Sequence, residues 1–197
     1  MFTTSKPLIL ASASPRRQQF LTDLGLNFSC LPADIDETSN PGETPTAFAL
    51  RMARTKAKAI ARQHQQAYVI GSDTVVTVDN RILGKPVDEA HALKILRSLQ
   101  GKTHQVITGL SLICLQDNCD ENLTRTTDVT FQTFSDSILQ AYIKTGEPMD
   151  KAGAYGIQGK GSFLISQIRG SCSNVIGLPV SECTNLLLKN GLILPAL

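Results

Sequence analysis

What this chain lacks narrows the possibilities first. It has no apolar run long enough to span a bilayer; the longest stretches, such as Leu110 to Leu115, fall far short. Its opening residues, Met1 to Lys6, are polar and carry no apolar signal region, so export is not expected. Excess charge is small too: a formal net charge of +2 does not argue for a nucleic-acid partner. The five cysteines include no Cys-x-x-Cys pair, and an odd number would leave one thiol over in an oxidising compartment. A reducing cytoplasm is the expected setting, with the thiols buried and quiet. The three histidines, His64, His91 and His104, are scattered away from the cysteines, which argues against structural zinc. Neither a Gly-x-x-x-x-Gly-Lys-Ser/Thr loop nor a Gly-x-Gly-x-x-Gly loop is present, and no Gly-x-Ser-x-Gly elbow occurs. Repeats and low-complexity segments are absent as well.

What remains is an ordinary globular composition, 42% apolar and 18% charged over 197 residues, enough for one substantial core. The apolar run at Leu8-Ile9-Leu10 predicts a short buried strand within Lys6 to Ala13. Ser14-Pro15 then reads as a helix N-cap followed by proline at the first helical position, with Gly25 as the stop. An acidic loop spans Pro32 to Gly42, and a second helix is expected from Thr44-Pro45 to about Gln63. Ala67 to Val78 is strand-like, interrupted at Gly71-Ser72-Asp73, with Asp79-Asn80 as a hairpin turn. Asp88 to Leu99 reads as a helix. Thr103 to Leu115 and Leu123 to Phe134 read as a long hairpin, and Ser135 to Thr145 as a further helix. A glycine-rich stretch, Lys151 to Gly161, precedes a strand at Ser162 to Ile168 and a last helix from about Leu178 to Asn190. This order predicts an α/β fold, a mixed twisted sheet flanked by helices. No linker is visible, so residues 1–197 are read as a single domain, with two lobes around a deep cleft.

Four segments carry chemistry. In Ala11-Ser12-Ala13-Ser14-Pro15-Arg16-Arg17 a strand feeds a helix start, where unpaired N–H groups and the positive dipole end favour an anion. Two arginines in that first turn are electrostatically misplaced unless an anion binds there. Winding Thr46 to Gln63 at about 100° per residue sets Arg51, Arg54, Lys58 and Arg62 on a solvated arc. Lys56 falls instead at the centre of the apolar arc; an inward lysine needs an anionic partner from protein or ligand, and a ligand phosphate is the one expected. Asp73 is a carboxylate among apolar strand residues, beside Gly71, which lets backbone or ligand come close. Lys85 sits at the constrained turn Gly84-Lys85-Pro86. Asp34, Asp36 and Glu37 cluster in the acidic loop and, with Asp73, could give oxygen ligands to Mg²⁺. Each feature alone has a bland reading: a capped helix, a snorkelling lysine, a structural aspartate, a solvated loop. Together they fit metal-assisted phosphoryl chemistry with water as nucleophile.

The ordered set of segments resembles the Maf family of nucleotide pyrophosphatases. The pieces are Leu10-Ala11-Ser12-Ala13-Ser14-Pro15-Arg16-Arg17, Asp34 to Glu37, Ala53-Arg54-Thr55-Lys56-Ala57 and Gly71-Ser72-Asp73-Thr74-Val75-Val76. They continue with Gly84-Lys85-Pro86, Asp150 to Gly159 and Asn174-Val175-Ile176-Gly177-Leu178-Pro179. The resemblance implies a fold related to the inosine-triphosphate pyrophosphatases, often homodimeric. It implies hydrolysis between the α and β phosphates of a nucleoside triphosphate with a divalent cation, Mg²⁺ or Mn²⁺. The family's catalytic carboxylate matches Asp73, its phosphate and substrate positions match Ser12, Arg16, Lys56 and Lys85, and its acidic loop residue matches Glu37. Metal ligation is thereby assigned to Glu37 and Asp73. Thr74 and Gln158 stand where the dTTP/UTP branch has them, a side-chain amide can pair with the N–H and C=O edge of a pyrimidine, and Arg16, Thr74 and Gln158 are the expected selecting residues. The expected partner is thus a small nucleotide, standard or modified, and neither nucleic acid nor membrane. The alternative on the same fold is a nucleotide-binding regulator of cell division, which would not need Asp73 as a base.

Overall fold

A computed structural model describes residues 1–196. In chain order the elements are β1 (Phe2–Thr4), β2 (Leu8–Leu10), α1 (Pro15–Asp23), β3 (Ser29–Cys30), α2 (Pro45–Ala61) and β4 (Tyr68–Val78). Next come β5 (Arg81–Leu83), α3 (Glu89–Leu99), β6 (Thr103–Cys114), β7 (Cys119–Phe131) and α4 (Asp136–Ile143). Short 3-10 turns fill Glu147–Asp150, Ala152–Ala154 and Gly159–Leu164 before β8 (Ile165–Arg169), α5 (Cys172–Ile176), α6 (Val180–Lys189) and β9 (Ile193–Pro195). Seven strands form a mixed sheet in the order β3-β2-β4-β6-β7-β8, with β5 paired to β4, while β1 and β9 make a separate antiparallel pair. The fold is a mixed α/β sheet flanked by helices. Because β2 is paired in parallel on both sides, its three residues are all buried and all aliphatic.

Contacts divide the chain into two compact units. The first comprises Met1–Asp73, Thr108–Arg125 and Gly177–Leu197; the second comprises Thr74–Ile107 and Thr126–Ile176. Each has a core of its own. In the first unit Leu10, Leu21, Ile70, Leu110, Leu112 and Leu178 pack together, and Ala57, Ile60, Val69 and Ile113 form a second cluster under α2. In the second unit Leu96, Leu99, Val129, Phe131, Leu139 and Tyr155 fill the centre.

Helix starts follow local chemistry. Ser14, Thr44 and Asp88 each accept an N–H of the first turn, and proline stands at the head of α1 and α2. Asp79 and Asn80, both at positive φ, make the tight turn between β4 and β5. The structure corrects the expected break at Gly71-Ser72-Asp73, since β4 runs through it without interruption. Gly71 serves close packing: a Cβ there would lie 2.1 Å from the carbonyl oxygen of Ala53, and one at Gly109 of β6 would lie 2.3 Å from that of Ala49. With alanines on its inner face, α2 rests directly on these strand glycines. The expected strand from Ser162 begins only at Ile165, and the last helix begins at Val180 after the separate short α5.

Candidate active site

Three elements of the first unit converge around Asp73. The residue lies on β4, where side chains alternate between faces, and its carboxylate is only 13% exposed. Lys56, one of the inward positions of α2, is 12% exposed, and its Nζ lies 2.6 Å from Asp73 Oδ1 and 2.8 Å from Glu37 Oε1. The lysine at the centre of the apolar arc therefore faces anions of the protein itself. Glu37 reaches in from the acidic loop while keeping most of its own side chain in solvent.

The structure distinguishes the three acidic-loop residues. Asp36 Oδ1 is occupied by its own loop, accepting from the N–H and hydroxyl of Thr38 at 2.9 and 2.6 Å. Asp34 is exposed, and Glu37 alone of the three pairs with Lys56. The loop is held to α2 by Arg51, expected as a solvated charge but found half-buried. Its guanidinium grips both oxygens of Glu43 at 2.6 Å and donates to the Thr38 carbonyl at 3.0 Å, next to Glu37. That fork holds the Glu43 carboxyl down at about 2.

At the start of α1, Ser12 is buried and its Oγ accepts from the N–H of Ser14 at 3.1 Å. Of the two arginines, Arg17 turns inward: its Nε donates to the Gly177 carbonyl at 2.7 Å and its Nη1 to Ser12 Oγ at 3.2 Å. The hydroxyl of buried Ser72, beside Asp73, donates to the same carbonyl at 3.1 Å. Gly177 thus ties the head of α1 to β4. The resemblance implies substrate contact for Arg16 alone, and the inward position of Arg17 is new from the structure. The available signal was the arginine pair, but consecutive helical residues differ by about 100°, and nothing local said which would face in.

Burial raises the Asp73 carboxyl above its ordinary value of 3.8; Lys56 and Arg17 pull it back, and Glu37 pushes it further up. A buried carboxylate beside a cation, with a raised pKa, is a stronger base than an exposed one and suits proton abstraction. The donor set also fits a hard cation. Glu37 and Asp73 already point oxygens at one cationic centre, the Lys56 ammonium, and Mg²⁺ or Mn²⁺ commonly takes one or two carboxylates with phosphate oxygens and water. Among the described residues no group of three or more His, Cys, Asp or Glu is arranged to enclose a metal. The remaining ligands would therefore come from substrate and solvent.

The other expected residues lie in the second unit. Thr74 follows Asp73 on β4, while Lys85 and Gln158 are exposed. Lys85 is placed by backbone: the carbonyl of Gly84 accepts from the N–H of Gly153 at 3.2 Å. Gly153 in turn sits so close on Val76 that a Cβ would meet its methyl at 2.9 Å. In this unit the Gly84-Lys85 turn and the Ala152-Gly153-Ala154 turn are thus brought together. Asn174, of the last matching segment, is buried and structural, its amide donating to Val106 O and Thr127 Oγ1 at 3.0 Å each.

Against known proteins, residues 7–190 match the family described as Maf-like protein. A dTTP/UTP pyrophosphatase of Desulfotalea psychrophila is 46% identical over 188 residues, covering 95% of this chain and 96% of that protein. One from Oleidesulfovibrio alaskensis is 48% identical, over 99% of this chain and 90% of that protein. A third, from Myxococcus xanthus, is 46% identical over 95% and 94% respectively.

Proposed function

The chain belongs to the Maf-like protein family, and from that premise we propose that it hydrolyses dTTP and UTP to the nucleoside monophosphate and pyrophosphate. The observation that carries the chemistry is the convergence of Glu37, Asp73 and Lys56 on one point in the first unit, 2.6–2.8 Å apart. Two carboxylates and an ammonium at one place are what a polyanionic substrate with a divalent counter-ion requires.

The chemistry follows from the residues. The N–H groups at the head of α1, with Ser12 and Arg16, bind phosphate oxygens. Lys56 is drawn from the carboxylates to the triphosphate, and its charge stays at the reacting centre. Glu37 and Asp73 would hold a divalent cation, Mg²⁺ or Mn²⁺, which would supply charge neutralisation on the phosphates. Asp73 takes a proton from the water that attacks the α-phosphorus; the bond to the β-phosphate breaks, and pyrophosphate leaves with the electron pair. Arg17 keeps Ser12 and the Gly177 carbonyl in place, a positioning task. Lys85 adds a further cation for the substrate, and Thr74 and Gln158 select the base. We assign the activity to the cytoplasmic nucleotide pool, standard or modified, and the working form to a homodimer.

The test is pyrophosphate release across a panel of nucleoside triphosphates with Mg²⁺ or Mn²⁺. Turnover concentrated on dTTP and UTP is expected. Preference for a purine triphosphate would keep the reaction and overturn the roles given to Thr74 and Gln158.

A further inference from the structure

Gln158 lies in the six-residue segment Gly156 to Gly161, whose last three residues open the 3-10 turn Gly159–Leu164. Half of its residues are glycine, its centre is exposed, and the Gln158 side chain does not cap the 3-10 turn that follows. A loop of this composition has a large conformational entropy to lose. A side chain that must present an amide to a nucleobase needs a fixed backbone beneath it.

Two side chains outside the loop supply that fixity. The Glu147 carboxylate accepts from the N–H of Lys160 at 2.8 Å and of Gly161 at 2.9 Å, and from the Tyr142 hydroxyl at 3.1 Å. The same hydroxyl accepts from the N–H of Gly156 at 3.2 Å. Both ends of the loop are thus fastened to one hydrogen-bonded pair. The glycines allow it: a Cβ at Gly159 would lie 2.8 Å from Glu147 Oε2, and one at Gly161 would lie 2.4 Å from the Tyr142 hydroxyl. The pair is itself anchored. Tyr142 is buried in the second unit's core, and the Glu147 carbonyl accepts from Lys151 Nζ at 2.6 Å. Burial works to raise the Glu147 carboxyl, yet the two N–H donors and the tyrosine outweigh it and hold it below its ordinary value. Glu147 is accordingly ionised at neutral pH, as a triple acceptor must be.

We propose that Tyr142 and Glu147 are positioning residues for nucleobase recognition, a clamp that holds the Gly156–Gly161 loop so that Gln158 meets the pyrimidine edge. This rests on the reading of Gln158 as the base-selecting residue. Neither residue belongs to the set assigned to the phosphates or the cation, so loss of the clamp falls on substrate affinity rather than on the chemical step.

The experiment compares Glu147→Gln, Tyr142→Phe, Gln158→Ala and the Glu147→Gln/Gln158→Ala double variant in the full chain. Steady-state kinetics on dTTP and UTP are run beside amide hydrogen exchange of the loop. Tyr142→Phe is the mild variant, losing one hydroxyl, should Glu147→Gln fold poorly. We expect KM to rise about tenfold in each single variant, with a much smaller change in kcat. The amides of Gly156, Lys160 and Gly161 should exchange faster in the clamp variants. The double variant should be no worse than Gln158→Ala, since one interaction is lost either way. Unchanged KM in both clamp variants, with a raised KM in Gln158→Ala, would overturn the clamp and leave Gln158 standing. An unaffected Gln158→Ala would overturn the reading on which the clamp depends. Multiplying effects in the double variant would also overturn it, because the clamp would then be acting through something other than Gln158.

Discussion

Arg51, Arg54 and Lys58 of α2 pair with Glu43 and Asp120, whereas Lys56, on the same helix, turns to Glu37 and Asp73. Replacing Lys56 by alanine leaves two carboxylates close together without the ammonium between them and removes a charge that the triphosphate needs. We expect kcat/KM to fall by about 10²-fold; an unchanged value would reduce Lys56 to a structural residue. Lys56 and Asp73 were legible in the sequence because each breaks a pattern, a charge on an apolar arc and a carboxylate in an apolar strand. Glu37 was singled out among three acids only by the resemblance, and the inward turn of Arg17 and the place of Glu147 were not legible. Their roles depend on contacts formed with residues far along the chain, such as Gly177 and Lys160. His104 gives a test of a different kind. It is buried, its Nε2 is 2.8 Å from the Tyr155 hydroxyl, and burial lowers its pKa from 6.5 to about 4. The unfolded chain therefore binds the proton first, so stability present above pH 6.5 is lost as the pH falls toward 4. That loss is worth at most about 3 kcal/mol. In urea unfolding, the stability gap between wild type and His104→Gln should narrow from pH 7 to pH 4.5. A constant gap would mean the imidazole does not titrate in this way.

At the scale of elements, α2 and its two supporting strands show why the sequence predicted a break where none exists. Gly71 reads locally as an interruption, but its missing side chain makes room for the backbone of α2, which passes too close for any Cβ. Gly71→Ala should accordingly destabilise by about 3 kcal/mol, measured as a lower urea midpoint with an unchanged slope. A neutral effect would show that the helix can retreat at no cost. The helices with clear caps were legible to within a few residues, because Ser14, Thr44 and Asp88 advertise their role in sequence. Short strands such as β1, β3 and β9 were not. Two or three residues carry no periodicity, and β1 and β9 exist only through pairing nearly the whole chain apart.

Over the whole molecule, the cysteines are not uniformly buried as expected: Cys30 and Cys119 are partly exposed. All five thiols are free. Cys172 is exposed, whereas Cys114 and Cys183 are buried, and burial pushes the Cys183 thiol up to about 12. A thiol-reactive probe should therefore modify Cys172 first and reach Cys183 only on unfolding; early labelling of Cys183 would contradict the packing of α6. Across the chain, the matching segments fall in both units: Ser12, Glu37, Lys56 and Asp73 in the first, Thr74, Lys85 and Gln158 in the second. Everything proposed for the reaction turns on Asp73 as the base. The direct test is pyrophosphate release from dTTP and UTP by wild type and Asp73→Asn, side by side at saturating substrate and divalent cation. The asparagine keeps the shape and removes the proton acceptor, so kcat should fall by at least about 10²-fold. Turnover near that of the wild type would contradict the mechanism.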